Sequence, residues 1–179
     1  MLKKTVLNLS IAAALLAASG TILGAATPVN IAVAANVSKA CSFSAAAAGL
    51  NFGDYDPIGV NATADKTGTA QVSVTCAKGA ATVTIGLDYG THISGTTQRQ
   101  MAGPGADLLS YNVFQPASNA AGAACPGTIP WTTTGTGLLS LEDAPSKATR
   151  VYNVCGTIPM GQDVTTGAYT DTIIATLNF

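Results

Sequence analysis

The chain has 179 residues, only 9% of them charged, and a formal net charge of −1. That balance lacks the basic footprint of a nucleic-acid binder, and the length suffices for one domain with a core of its own. Gly, Thr, Ala and Val abound while helix formers of the Glu/Lys/Leu kind are scarce, so the expected fold class is all-β.

The first residues read as a secretory signal, assigned to residues 1–26. Lys3 and Lys4 supply the positive start, Val6 to Ala18 is an apolar run, and Gly24-Ala25-Ala26 is an acceptable cleavage site. Ala32-Val33-Ala34 is a second candidate, which would cut through the segment described next. Removing Lys3 and Lys4 leaves six basic against nine acidic residues, a net of −3.

Residues 27–39 alternate. Val29, Ile31, Val33, Ala35 and Val37 are separated by Asn30, Ala32, Ala34, Asn36 and Ser38. A period of two gives a strand with one apolar row. No Asn-Gly or Asp-Gly turn follows it, so no local hairpin partner is signalled. The expected partner is therefore another copy of the protein, with this row as a donor strand.

The folded domain is assigned to residues 40–179. Leu50-Asn51-Phe52-Gly53 reads as a short strand, and Asp54 to Pro57 as a turn with solvated carboxylates. Thr69 to Cys76 alternates clearly, with Ala70, Val72, Val74 and Cys76 on one side. Thr82 to Leu87 follows across Lys78-Gly79, and the two are expected to pair as a hairpin. Gly90 to Gly105 should hold an edge strand and long turns. Leu108 to Gln115 is a strand with apolar groups on both sides, implying cover on both faces. Ile129 and Trp131 suggest a short strand, with the tryptophan in the core. Lys147 to Gly156 contains another strand. Tyr169 to Phe179 is the last, with Ile173, Ala175, Leu177 and Phe179 in one row and no residue after it to pair with its outer edge.

The four cysteines suit an exported chain, where disulfides are the default. Three pairings exist; the expected one is Cys41–Cys76 with Cys125–Cys155. Either bridge closes a loop of about 30 residues, worth about 3–4 kcal/mol in the chain-entropy account. No two cysteines have the close spacing of a zinc site, so no metal is expected.

No constellation signals catalysis, so the chain is not expected to be an enzyme and no cofactor is expected. His92 is the one histidine, and no serine stands in a Gly-x-Ser-x-Gly elbow. It reads as an ordinary surface residue. Asn36-Val37-Ser38 and Asn61-Ala62-Thr63 match the glycosylation sequon, a pattern common by chance.

The order of these motifs resembles the spore coat protein U family, which includes subunits of archaic, Csu-type chaperone–usher pili. The resemblance is carried by the alternating N-terminal row, Cys41, Leu50-Asn51-Phe52-Gly53, Val72-Ser73-Val74-Thr75-Cys76, Tyr111-Asn112-Val113-Phe114 and the ending Tyr169 to Phe179. It covers nearly the whole exported chain, which differs in its second cysteine pair, Cys125 and Cys155. It implies an incomplete immunoglobulin-like (pilin) sandwich lacking its last strand, with an acceptor groove along Ile173, Ala175, Leu177 and Phe179. It further implies a periplasmic chaperone, an outer-membrane usher and neighbouring subunits as partners. The function it implies is that of a secreted, cell-surface pilus subunit serving adhesion and biofilm formation, in a stalk rather than a tip position. A secreted spore- or cell-coat protein of the same family is the alternative.

Overall fold

The computed structural model describes residues 28–44 and 49–179. The signal segment lies outside the described residues. Among these residues nine strands form two antiparallel sheets, an all-β sandwich with no α-helix.

In chain order the strands are β1 (Cys41–Phe43), β2 (Lys66–Cys76), β3 (Thr84–Leu87), β4 (Ile93–Ser94), β5 (Gln98–Ala102), β6 (Leu108–Phe114), β7 (Leu139–Ser140), β8 (Arg150–Ile158) and β9 (Ala175–Asn178). The larger sheet runs β1-β2-β8-β6-β5-β4, and the smaller runs β7-β3-β9.

The centre of the larger sheet is the β2–β8 pair, in register from Lys66↔Ile158 to Val74↔Arg150. Alternation decides its faces. Ala70, Val72, Val74 and Cys76 point inward with Tyr152, Val154 and Ile158, and all are buried. Facing them from the smaller sheet are Ile85, Leu87 and Leu139. Trp131 fills the space between the sheets with no exposed surface. Its indole donates to the Ile85 carbonyl at 2.9 Å, and its backbone N–H donates to Val113. The tryptophan thus joins β3 of one sheet to β6 of the other, and satisfies its one polar atom while doing so.

Three expectations need correction. The strands β2 and β3 do not form a hairpin; they lie in different sheets. The connection 77–83 is longer than the roughly two to five residues of a hairpin loop. It also turns over the edge of the core, where the Gly79 N–H donates to Ala144 and Ala144 donates back to Ala80. Each strand's single apolar row faces the same core from opposite sides, which alternation alone does not distinguish from a hairpin.

Leu50 to Gly53 is not a strand either. It is a strap whose Phe52 side chain sits over a notch in the larger sheet. The notch exists because Gly68 and Gly156 are register partners on the inner face. A Cβ at Gly156 would lie 2.7 Å from Leu50 Cδ2 and from Phe52 Cζ, and one at Gly68 would lie 2.9 Å from Phe52 Cδ1. The two absent side chains are replaced by one aromatic ring, which meets Tyr111 edge-on at a centroid distance of 6.2 Å. The Asn51 side chain closes the turn by accepting from the Gly53 N–H.

The final segment, expected as one strand from Tyr169 to Phe179, is divided. Thr170 bridges Ala102 at the end of β5 in the larger sheet, whereas Ala175–Asn178 pairs with β3 in the smaller one. The chain changes sheets between Thr170 and Ala175.

Smaller points follow the sequence more closely. Asp56 sits in a turn, accepting from the Ile58 and Gly59 N–H groups. The outer row of β6 (Leu108, Ser110, Asn112, Phe114) is only partly covered. Asn61 is buried, and its amide is engaged with Asp56 N–H and the Ala64 carbonyl. Both disulfides end on the central pair: Cys41–Cys76 at the end of β2, and Cys125–Cys155 within β8.

Candidate functional site: an open cleft between the sheets

The larger sheet has six strands and the smaller has three. Part of the larger sheet's inner face therefore has no strand opposite it. The result is a cleft of about 360 Å³. Its floor is Ala70 and Val72 of β2 and Val154 of β8. Its walls are Leu50 and Phe52 of the strap, Met101 and Tyr111 of the larger sheet, Leu87 of β3, and the segment from Tyr169 to Ala175. A larger hollow of about 990 Å³ lies beyond the strap, between residues 53–57 and 164–169.

One rim of the cleft is the C-terminal segment. Asp171, Ile173, Ala175 and Leu177 form its inward row and are half-buried, while Thr172, Ile174, Thr176 and Asn178 face solvent. Ile173, Ala175 and Leu177 pack on the core. Ile173 and Ala175 also line the cleft. Phe179 lies one residue beyond β9 and is exposed. In its sheet β9 has one neighbour, β3, and its other edge carries no strand among the described residues. Such an edge presents backbone N–H and C=O groups ready to pair with an added strand.

At one end the cleft becomes polar. The Asp171 carboxylate, 2% exposed, accepts from the Thr91 hydroxyl at 2.6 Å, the Thr91 N–H at 3.0 Å and the Tyr111 hydroxyl at 2.6 Å. His92 Nδ1 lies 3.3 Å away, so His92 is half-buried against this group rather than an ordinary surface residue. Burial opposes ionisation of Asp171. The hydrogen bonds from Thr91, Tyr111 and the Thr172 N–H outweigh it, and hold the carboxyl below its ordinary value. Burial, and next the bond to Asp171, push the Tyr111 phenol well above its own.

Behind Asp171 is Arg99, on the inner face of β5 and almost fully buried. Its Nε donates to Asp88 O at 2.8 Å, and its Nη2 donates to Trp131 O at 2.7 Å and Leu87 O at 3.1 Å. The guanidinium also lies 5.1 Å from the centroid of the Tyr89 ring. Burial lowers its pKa, opposed by Tyr111, Tyr89, Asp88 and Asp171. Asp88 in turn accepts the Ile174 N–H at 2.8 Å. This knot fixes the place where the C-terminal segment changes sheets, and so fixes the rim. Sequence reasoning missed it. Arg99 and Asp171 each stand in otherwise unremarkable stretches, and only the fold brings them together.

The alternating N-terminal residues are of a different kind. Residues 28–36 form no strand. Val29, Ile31 and Val33 are 81%, 83% and 92% exposed, and Ala35 and Val37 are exposed as well. Among the described residues no group of His, Cys, Asp and Glu has the arrangement of a metal site, and no helix is long and apolar enough to cross a membrane.

The chain is similar to a chaperone–tip adhesion subunit pre-assembly complex from the archaic chaperone–usher Csu pili of Acinetobacter baumannii. That similarity has a TM-score of 0.47 and 20% identity, and covers 80% of this chain and 40% of that one. It is also similar to Protein U of Myxococcus xanthus, with 35% identity over 187 residues and 98% of each chain covered. The model of the Spore Coat Protein U domain matches residues 27–176. The chain belongs to the spore coat protein U domain family.

Proposed function

We propose that the chain is a structural subunit of a surface fibre, in which residues 27–39 of one copy fill the cleft of the next. The observation that carries this reading is the half-buried inward row of β9, on a strand with a free edge beside an open apolar cleft. The exposed alternating row Val29, Ile31, Val33, Ala35 and Val37 is the complementary shape. Strand addition of this kind, donor-strand complementation, uses backbone hydrogen bonds for affinity and alternate side chains for specificity. Burying Val29, Ile31, Val33 and Val37 would contribute about 1.5–3 kcal/mol each, or about 6–12 kcal/mol before ordering costs. That is comparable with the whole stability of a typical domain, about 5–15 kcal/mol. Linkage would accordingly be long-lived. A slip by one residue would present Asn30 and Asn36 to the cleft, so the register is specified.

Before assembly the open edge is an aggregation hazard. A periplasmic chaperone that covers it, and an outer-membrane usher that exchanges it for a neighbour's strand, are the partners this reading requires. The fibre would stand on the cell surface after passage through the periplasm, and serve adhesion and biofilm formation.

A second reading is favoured by the family itself, which is named for a spore coat: the same linkage could build a layer rather than a fibre. Ile31→Asp separates strand exchange from all else. It should abolish SDS-resistant ladders in boiled-against-unboiled gels, and ladders that persist unchanged would overturn donor-strand linkage. Electron microscopy of the wild-type surface then tells fibres from a layer.

A further inference from the structure

We propose that the Cys41–Cys76 bridge is a mechanical shunt, which keeps tension on the N-terminal segment from drawing out the chain that builds the walls of the cleft. The inference rests on the fibre reading, since only a polymer puts that segment under tension.

The segment enters the sandwich at β1, three residues long and at the edge of the larger sheet. Cys41 is the first residue of β1, and its register partner is Cys76, the last residue of β2. The disulfide joins these same two residues. Tension arriving from Ala40 therefore meets a covalent link before it meets any further pair of the β1–β2 ladder. Two weaker fastenings lie just ahead of it. The Ala77 N–H donates to Ala40 O at 2.8 Å, and Lys39 Nζ donates to Ala81 O at 3.0 Å.

Without the bridge, tension at Cys41 would peel β1 pair by pair, because a ladder loaded at its end opens one bond at a time. The peel would then run along the chain into the strap. Leu50 and Phe52 line the cleft that grips the neighbouring copy, and Phe52 is held by its fit over Gly68 and Gly156. Pulling the strap out would loosen the grip on one neighbour in response to load from the other. With the bridge, the residues between Cys41 and Cys76 cannot be drawn out from their N-terminal end, because a pull on Cys41 passes across the disulfide to Cys76. They include the strap and the cleft floor at Ala70 and Val72. The chain that builds the acceptor cleft is thereby kept from unravelling at the root of the donor segment, although the two are continuous.

The length set aside is measurable. Cys41 and Cys76 are 35 residues apart, and at roughly 3.3–3.6 Å per residue that is about 120 Å of extended chain. Single-fibre pulling of the Cys41→Ala/Cys76→Ala polymer should show each subunit extending by about 120 Å more than wild type, starting at lower force. The Cys125→Ala/Cys155→Ala polymer is the control, and should keep the wild-type onset. If the first double variant fails to assemble, assembled fibres of the control variant are reduced on the instrument, where only the Cys41–Cys76 bridge remains to break. Unchanged onset and extension after its loss would overturn the shunt while leaving donor-strand linkage standing. Wild-type chains that form no Ile31-dependent polymer would sink both.

Discussion

β2 and the C-terminal segment have the same alternating pattern and different fates. In β2 the row Ala70, Val72, Val74, Cys76 is buried, because β1 and β8 flank the strand and the smaller sheet lies across much of it. In the C-terminal segment Ile173, Ala175 and Leu177 are half-buried, and β9 has a neighbour on one side only. Alternation states which face of a strand wants burial. It does not state whether the partner belongs to the same chain. The residual exposure of an inward-facing row is what an added strand, under the proposed linkage, would remove.

The comparison can be broken most severely at its finished side. Phe52→Ala empties the glycine notch and should cost about 3–5 kcal/mol, as for other buried aromatic truncations. Urea denaturation of the isolated chain measures it. A loss under about 1 kcal/mol would mean that the strap contributes little to the core.

A paired substitution sharpens the contrast itself. Ile85→Ala, in a fully buried site of β3, should cost about 2–5 kcal/mol. Leu177→Ala, on half-buried β9, should cost less than half as much in the isolated chain. Adding a synthetic peptide spanning residues 28–38 should raise the cost of Leu177→Ala and leave that of Ile85→Ala, which does not line the cleft, nearly unchanged. Thermal denaturation of four samples, each variant with and without peptide, is sufficient. Equal costs in the absence of peptide would remove the distinction between the two rows.

The smallest effect tests the polar end of the rim. Asp171→Asn should cost about 1.5–3 kcal/mol at neutral pH, the range for hydrogen bonds to a charged group. The folded protein holds Asp171 below its ordinary pKa of 3.8. The ionised carboxylate therefore adds stability above about pH 4, and that stability is lost as acid protonates it in the folded state. The gap between wild type and Asp171→Asn should accordingly narrow below pH 4. Tyr111 has the opposite displacement: its phenol is held above the ordinary value of 10.0. Its contribution is full below about pH 10 and declines at higher pH, as the unfolded chain begins to lose that proton first. Chemical denaturation across pH 3 to 7 checks the acid limb.

Much of the framework was legible in the sequence. β2, β6 and β8 announce themselves by β-branched alternation, and Trp131 is in the core where an isolated tryptophan in an apolar context belongs. What was not legible depends on two distant stretches meeting. The notch under Phe52 needs Gly68 and Gly156 to be register partners, and nothing local to either glycine says so. Arg99 looks like a polar residue in a polar loop until β5 turns it inward onto three backbone carbonyls. The supposed β2–β3 hairpin fails for the same reason: a sheet-to-sheet crossing and a hairpin share one local pattern. The half-burial of the candidate rim was likewise invisible, since period and composition do not report how many neighbours a strand has.

The pairing of β3 sets a clock. Thr84 meets Asn178 at a separation of 94 residues, and β7, its other neighbour, also arrives from far along the chain. In a chain threaded end-first into a new compartment, Val83, Ile85 and Leu87 emerge early and wait through most of the domain for their strands. Long-range pairing of this kind is slow, and the waiting strand is exposed to aggregation. Under the proposed export route, protection would be needed before the cleft exists, and a chaperone on that route would act earlier than the capping of the finished edge.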